Sequence, residues 1–272
     1  MALGKSTAVV IGSFSLGESD RIVSFFSRDF GKVRGVARAA RRMRSRFGSA
    51  LELLTLGELV FFDAGRSDLV QVDHFDIVYP FERIRGDLEQ LGQAAWMVEC
   101  VARLTADRDP NATVYALLVQ ALRSVEAGDP PRQAATAFGL RCVDALGHRL
   151  RIDACVGCGR RGASIGAPLA IDVEGGGLTC AACAGRMRGA IRVDAGVLGA
   201  LRRLRAMSWD DAMELPLGPD GARVREIVDL HVTRLAGQPV RASRFVREIE
   251  RSWPVPAGRP SASTHGESEA TP

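Results

Sequence analysis

Residues 21–37 read RIVSFFSRDFGKVRGVA, and the architecture of the N-terminal part follows from this run. Two stretches rich in β-branched and aromatic residues, Arg21–Arg28 and Gly31–Ala37, flank the turn Asp29-Phe30-Gly31. Alternation broken by a glycine-containing turn is the signal of a β-hairpin. A short strand, Thr7–Ile11, is expected before it. Two more, Glu58–Asp63 and Leu69–Val78, are expected after it, joined through Ala64-Gly65-Arg66-Ser67-Asp68. Five short strands with one long break between the third and fourth suit a small closed barrel. The OB-fold is the five-stranded candidate, although strand count alone does not separate it from an SH3-like barrel.

Beyond Pro80 the period changes to that of helices. Leu88, Leu91, Ala95, Val98, Val101 and Leu104 mark one helix, broken by Asp109-Pro110-Asn111. Val114 to Val125 mark a second, ended by Gly128-Asp129-Pro130-Pro131, and Phe138, Cys142, Val143 and Leu146 a third with Gly147 as its C-cap. Helical spacing returns at Leu198, Leu201 and Leu204, then from Val224 to Leu235, and finally from Phe245 to Ile249. The fold class expected is therefore α+β and multidomain. Residues 1–80 form a barrel and 81–252 a helical domain. The Pro- and Ser-rich 253–272 cannot bury a core and reads as a disordered tail.

Inserted in the helical domain, at about 152–190, is a pair of knuckles: Cys155-Val156-Gly157-Cys158 and Cys180-Ala181-Ala182-Cys183. Two CxxC pairs supply the four thiolates that tetrahedral Zn²⁺ prefers, with no position left for water, so the site is expected to be structural. The intervening 21 residues lie one beyond the usual range for such pairs. A redox CxxC would open a helix within a βαβ pattern, and neither pair does. Cys100 and Cys142 sit in apolar helical patterns, which suits buried thiols in a reducing cytosol. His148 is near enough to Cys155 to substitute as a ligand, but four cysteines make it unnecessary.

The net charge of +4 identifies no partner; its distribution is more telling. Arg38, Arg41, Arg42, Arg44 and Arg46 crowd the break between strands three and four, and residues 30–50 contain no Asp or Glu. Lys32, Arg34 and Arg38 share parity on or beside strand three and should face the same way. A cationic strand face running into a cationic loop is the footprint of a polyanion binder, whereas isolated charge runs are ordinarily solvated surface. Of Phe25, Phe26, Phe30, Phe47, Phe61, Phe62 and Phe75, about half must line the barrel, and core packing is the better reading for these aromatics than base stacking. Glu99, Asp107 and Asp109 read as a solvated acidic patch near a helix end.

Several chemistries are missing. Gly4-Lys5-Ser6-Thr7 imitates the end of a P-loop, but the glycine required five residues earlier would precede Met1. The histidines are scattered, and nothing nominates a nucleophile or base, which favours a binding protein over an enzyme. No segment approaches the length of a membrane span, and no signal-peptide core is present, so a cytoplasmic location is expected.

In order and spacing, these features resemble the bacterial RecO family of recombination and repair mediators, to about residue 250. The resemblance is carried by Gly17-Glu18-Ser19-Asp20-Arg21-Ile22-Val23, Phe30 to Arg38, Arg41-Arg42 with Ser45-Arg46, Leu146-Gly147 leading to Asp153, Cys155 to Gly159, and Gly175-Gly176-Gly177-Leu178 before Cys180. It implies an N-terminal OB-fold, a helical C-terminal domain and, in many members, a zinc module. It also implies binding of single- and double-stranded DNA, annealing of complementary strands, and loading of recombinase onto strands coated by single-stranded DNA-binding protein. The partners implied are RecR protein and, in some members, RecF protein, with a nucleoid-associated location in the cytoplasm. On the matching positions, Lys32, Arg34, Arg38, Arg41, Arg42, Arg44 and Arg46 would contact the DNA backbone, and Cys155, Cys158, Cys180 and Cys183 would hold Zn²⁺. The competing expectation is a zinc-containing protein–protein adaptor without annealing activity.

Overall fold

Strand β1 runs from Ala2 to Leu16, well beyond the Thr7–Ile11 segment that the sequence signals. Its first half pairs with β4 (Leu56–Asp63), from Ala2↔Asp63 to Val9↔Leu56. Its second half pairs with β2 (Asp20–Ser27), from Ala8↔Ser27 to Leu16↔Asp20, with an irregularity between Val10 and Gly12. One long, irregular strand thus serves two ladders, which is how a small sheet curls onto itself. β3 (Gly31–Ala37) completes the hairpin with β2, and β5 (Val70–Tyr79) lies antiparallel to β4. The ring β1-β2-β3-β5-β4 closes through a narrow parallel seam, Gly35↔Val70 and Val36↔Gln71. A side chain at Gly35 would run into Val70 and Val72, so glycine permits the approach. Together these pairings make an OB-like barrel. Gly4 to Thr7 are regular strand here, with Gly4 facing the Phe61 ring, and form no phosphate loop.

The structure, a computed structural model, describes residues 2–65, 67–161, 168–185 and 189–252; the expected tail at 253–272 lies outside the described residues. The barrel has two apolar faces. Ala8, Val10, Val23, Phe25, Val33, Leu59, Phe61, Val72 and Phe75 fill its interior. Val9, Ile11, Phe26 and Leu56 point outward into a second core shared with the helices.

That second core is built from α1 (Glu82–Gly86), α2 (Leu88–Leu104), α3 (Ala112–Ala127) and α4 (Pro131–Ala145). After the cysteine-bearing module come α6 (Ala195–Ala206), α7 (Trp209–Glu214), α8 (Asp220–Ala236) and α9 (Arg241–Ser252). Side chains of Asp87, Asn111, Asp194 and Ser208 accept backbone N–H bonds at the starts of α2, α3, α6 and α7, satisfying donors that a helix terminus leaves orphaned. Gly139 on α4 is pressed between Trp96 of α2 and Val228 of α8. The indole N–H of Trp96 donates to Asp229 at 2.8 Å and to Ser243 at 3.1 Å, tying α2 to α8 and α9.

Of the acidic patch expected near the end of α2, Asp107 and Asp109 are exposed, but Glu99 is not a solvated group. The Glu99 carboxylate accepts the amides of Arg241 and Ala242, both at 2.9 Å, and pairs with Arg103 at 2.7 Å. It caps α9, where a carboxylate is favoured by the helix dipole. Asp107 pairs instead with Lys32. Among the described residues no helix is long and apolar enough to cross a membrane.

Candidate metal centre and nucleic-acid interface

Between α4 and α6 the chain forms a three-stranded sheet that helical periodicity gives no hint of, ordered β7 (Gly177–Thr179), β6 (Leu169–Asp172), β8 (Ile191–Val193), with the short α5 (Ala181–Ala184). Its Ile171 and Leu178 belong to the core of the helical domain. The first knuckle is a tight turn in which the Gly159 amide donates to the Cys155 carbonyl at 2.8 Å, with Gly159 at φ +75°. It hangs on β7 through Leu178 N–H to Arg151 O (2.7 Å) and Val156 N–H to Leu178 O (2.8 Å). A side chain at Gly177 would collide with the Arg151 carbonyl, so glycine lets the knuckle and β7 meet. The second knuckle opens α5, with the Cys183 and Ala184 amides donating to Cys180 O at 3.0 and 2.8 Å.

These turns bring all four sulfurs within 4.8 Å of one another, and Cys158 Sγ lies 3.8 Å from Cys180 Sγ. Four thiolates at about 2.3 Å from one tetrahedral ion would stand roughly 3.8 Å apart. A disulfide needs about 2.05 Å, and all four cysteines are free thiols. Burial opposes ionisation of Cys155, but the amides of Cys180, Cys158 and Gly157 outweigh it and bring the thiol down to about 6. The neighbouring Cys180 sulfur, with burial second, pushes Cys183 up to about 12. Four sulfurs this close hold their full negative charge only around a cation. The donor set and spacing fit a metal ion. His148 takes no part: its carbonyl accepts from His231 at 2.8 Å. Cys100 and Cys142 are fully buried, and burial raises both thiols, Cys142 to about 12.

The arginine-rich connection between β3 and β4 is anchored from below. Ala40, Phe47, Ala50 and Leu51 are buried in the barrel's interior cluster. Above them Arg38, Arg41, Arg42, Arg44 and Arg46 are all exposed, as is Arg34 on β3. The anchoring extends to the β1–β2 turn. Asp20 accepts the Ala39 amide at 2.8 Å, Arg41 N–H donates to Ser19 O at 2.9 Å, and the Arg41 guanidinium donates to Gly17 O at 2.9 Å. The Ala39 amide, then the Ser19 hydroxyl, then Arg38 and Arg42 hold the Asp20 carboxyl below its usual range. Arg46 reaches Asp73 at 3.8 Å and stacks over Phe47. For Arg34, Arg38, Arg42 and Arg44 no carboxylate lies within ion-pairing distance among the described residues.

Lys32 departs from this group. It has the parity expected of it, but its ammonium donates to the carbonyls of Ala102 (2.8 Å) and Thr105 (2.7 Å) and pairs with Asp107 at 3.2 Å. It binds the C-terminal end of α2 and is largely buried, so it is not presented with Arg34 and Arg38. Adjacent Gly31, at φ +64°, lies against the backbone of Asp109 and Pro110. The barrel is thus bolted to the helical domain at the very strand whose outer face carries the arginines.

A family profile described as recombination protein O, N-terminal, matches residues 1–81, and one described as recombination protein O, C-terminal, matches 85–244. The chain belongs to the RecO family. DNA repair protein RecO of Anaeromyxobacter dehalogenans strain 2CP-1 is 36% identical over 251 residues, 92% of this chain and 98% of the relative. That of Frankia casuarinae is 37% identical over 217 residues, 78% of this chain and 86% of its own length. The Listeria monocytogenes protein of the same name keeps 25% identity over 248 residues, 91% and 95% of the two chains.

Against this RecO background, the structure exposes the six arginines on β3 and the connection that follows it, and gathers the four cysteines into one cluster. It adds residues that sequence reasoning passed over. Ser19 and Asp20 hold the base of the arginine loop, and the Thr179 hydroxyl sits 3.9 Å from Cys155 Sγ. Position beside a recognised motif was the available signal for each. Of the aromatics weighed as stacking platforms, Phe25, Phe26, Phe47, Phe61 and Phe75 are buried, Phe30 is partly buried against the interior cluster, and Phe62 is half-buried.

Proposed function

We propose that this RecO-family chain works by binding DNA rather than by catalysis. Single and double strands would be held by their phosphates on Arg34, Arg38, Arg41, Arg42, Arg44 and Arg46. The observation that carries this reading is the anchored arginine loop, with apolar residues buried beneath it and exposed guanidinium groups above and beside it, of which Arg34, Arg38, Arg42 and Arg44 have no carboxylate within ion-pairing distance among the described residues. Unpaired cations on a rigid base are pre-organised for a polyanion and lose little side-chain and backbone freedom on binding. Every phosphate they neutralise releases counterions. Lys32 is left out, because its ammonium is already engaged.

Phosphate contacts carry no sequence information, so two strands held this way keep their base edges free to pair. Neutralising both backbones lowers their repulsion, and this supports annealing. Loading of recombinase on strands coated by single-stranded DNA-binding protein, and cooperation with RecR and in some settings RecF, rest on family membership. So does a cytoplasmic, nucleoid-associated location. Cys155, Cys158, Cys180 and Cys183 would hold Zn²⁺, which the four-thiolate set favours. A bound ion would supply a fold-locking crosslink between the two knuckles, while the protein itself orients the thiols by the amide bonds to Cys155 and Cys180.

The test is annealing of complementary strands precoated with single-stranded DNA-binding protein, comparing wild type with the triple variant Arg41→Glu, Arg42→Glu, Arg44→Glu. Fast annealing by wild type and none by a folded variant is expected. No annealing by wild type would transfer the role to protein docking by the helical domain.

A further inference from the structure

The outer face of the barrel beside the arginine loop carries an apolar row that ends in an exposed aromatic, Phe14, its other apolar members Ile22 and Val36 being half-buried. Phe14 on β1 pairs with Ile22 on β2, Ile22 with Val36 on β3, and Val36 with Gln71 on β5. All of these side chains point away from the interior, and Phe14, Ile22 and Val36 belong to neither buried core. Phe14 is 62% exposed. Its ring leans toward Gly12, where even a methyl group would come into ordinary contact with the ring edge at 3.8 Å.

Arg34 and Arg38 flank the row at its β3 end, on either side of Val36. One register step to one side, Gly12 pairs with Ser24 and Ser24 with Arg34; to the other, Leu16 pairs with Asp20, beside which Arg38 follows as the next outward position after Val36. Arg34 and Phe14 are two strands and two residues apart, about 12 Å by strand spacing and rise. A single strand occupies roughly 4–16 nucleotides on a barrel of this kind, so one strand spans both.

We infer that Phe14 is a stacking platform for an unpaired base of single-stranded DNA whose phosphates lie on Arg34 and Arg38. This rests on the DNA-binding reading above and deepens it, because it separates two modes on one surface. Phosphates on the arginines are common to single and double strands, whereas only a single strand offers the face of a base to the Phe14 ring. The ring's place two strands from the exposed guanidinium groups of Arg34 and Arg38 fits a ligand that alternates apolar faces with negative charge.

The experiment measures affinity for oligo(dT) and for a duplex of equal length, with wild type, Phe14→Ala and Phe14→Trp, over a range of salt. Phe14→Ala should weaken oligo(dT) binding about tenfold, within what one base–aromatic stack is worth. Its duplex affinity should stay within about twofold, and its salt dependence on oligo(dT) should be unchanged, because no phosphate contact is lost. Phe14→Trp should keep the wild-type affinity and show indole fluorescence quenched by oligo(dT) beyond any change in wild type. Equal weakening of both DNA forms, or of neither, would overturn the inference while leaving the DNA-binding reading standing. Failure of wild type to bind either DNA would overturn both.

Discussion

Replacing Lys32 by methionine separates the lysine's structural bond from the DNA track more sharply than any change to the exposed arginines. Its ammonium donates to Ala102 O and Thr105 O at 2.8 and 2.7 Å, in the last turn and at the C-cap of α2, where a cation also complements the helix dipole. Hydrogen bonds involving a charged group are worth about 1.5–3 kcal/mol each. Methionine keeps most of the packed stem while losing both bonds. The Asp107 pair adds less than about 1 kcal/mol, because that carboxylate is 49% exposed. The Lys32 side chain is 15% exposed, so water only partly replaces what is lost. A destabilisation of about 2–4 kcal/mol follows, and for a chain of this size each kcal/mol is worth roughly 2–4 °C in Tm. Thermal melting should therefore show Lys32→Met lowered by roughly 4–16 °C. Arg34→Met, two residues along the same face, should stay within about 0.5 kcal/mol of wild type. In DNA binding the order should reverse, with Arg34→Met losing one phosphate contact and Lys32→Met keeping the wild-type salt dependence. A Lys32→Met protein that melts like wild type and shows a shallower salt slope would refute the reasoning and return Lys32 to the DNA track.

Two further outcomes follow from the same structure. Stripping metal with a strong chelator, or replacing Cys180 by serine, should lower Tm by more than about 10 °C, since a structural zinc site contributes about 10–16 kcal/mol against a typical domain stability of about 5–15. Added Zn²⁺ should restore the stripped protein but not Cys180→Ser, and an unchanged melt after stripping would remove the metal from the account. Burial holds the His231 imidazole below its ordinary 6.5, with Arg234 and His148 acting in the same direction and the His148 carbonyl and Asp144 against it. The unfolded chain then takes up a proton below pH 6.5 that the folded protein refuses, so stability should fall as pH drops from 6.5 toward the folded value. Denaturant melts between pH 7.5 and 5.5 should show this loss in wild type and a flatter profile in His231→Gln; identical profiles would contradict it.

What the sequence made legible were the features whose cause is local. The β2–β3 hairpin carries its own turn in Asp29-Phe30-Gly31, and α2 and α3 carry their periodicity and their caps at Asp87 and Asn111. The cysteine cluster was legible because chelation imposes a short spacing on each pair. Where the cause is distant, the reading stopped. Four of the first five residues of β1, Ala2, Gly4, Lys5 and Ser6, are small or polar, and the segment becomes strand because β4 pairs with it. The short strands β6, β7 and β8 are too brief for any period and are organised by pairing with one another and by backbone bonds from β7 to the first knuckle and Arg151. Six-residue α7 shows no periodicity either, although Ser208 three residues before Asp211 is a capping signal that could have marked it. Lys32 looked like its neighbours because its partners lie 70 or more residues away. Glu99 looked solvated because the amides it caps belong to α9. Phe14 drew no notice, since its exposure is set by pairing with Ile22 and by the closure of the barrel, not by its immediate sequence.

The most direct test of the central claim is the salt dependence of binding to single-stranded DNA, measured for wild type and for Arg38→Ala, Arg42→Ala and Arg44→Ala singly and together. If the anchored loop holds DNA by its phosphates, the slope of log affinity against log salt should become shallower by about 0.7 for each arginine removed, and by about two for all three. An undiminished slope in the folded triple variant would contradict the account and place the DNA contact, if any, elsewhere on the protein.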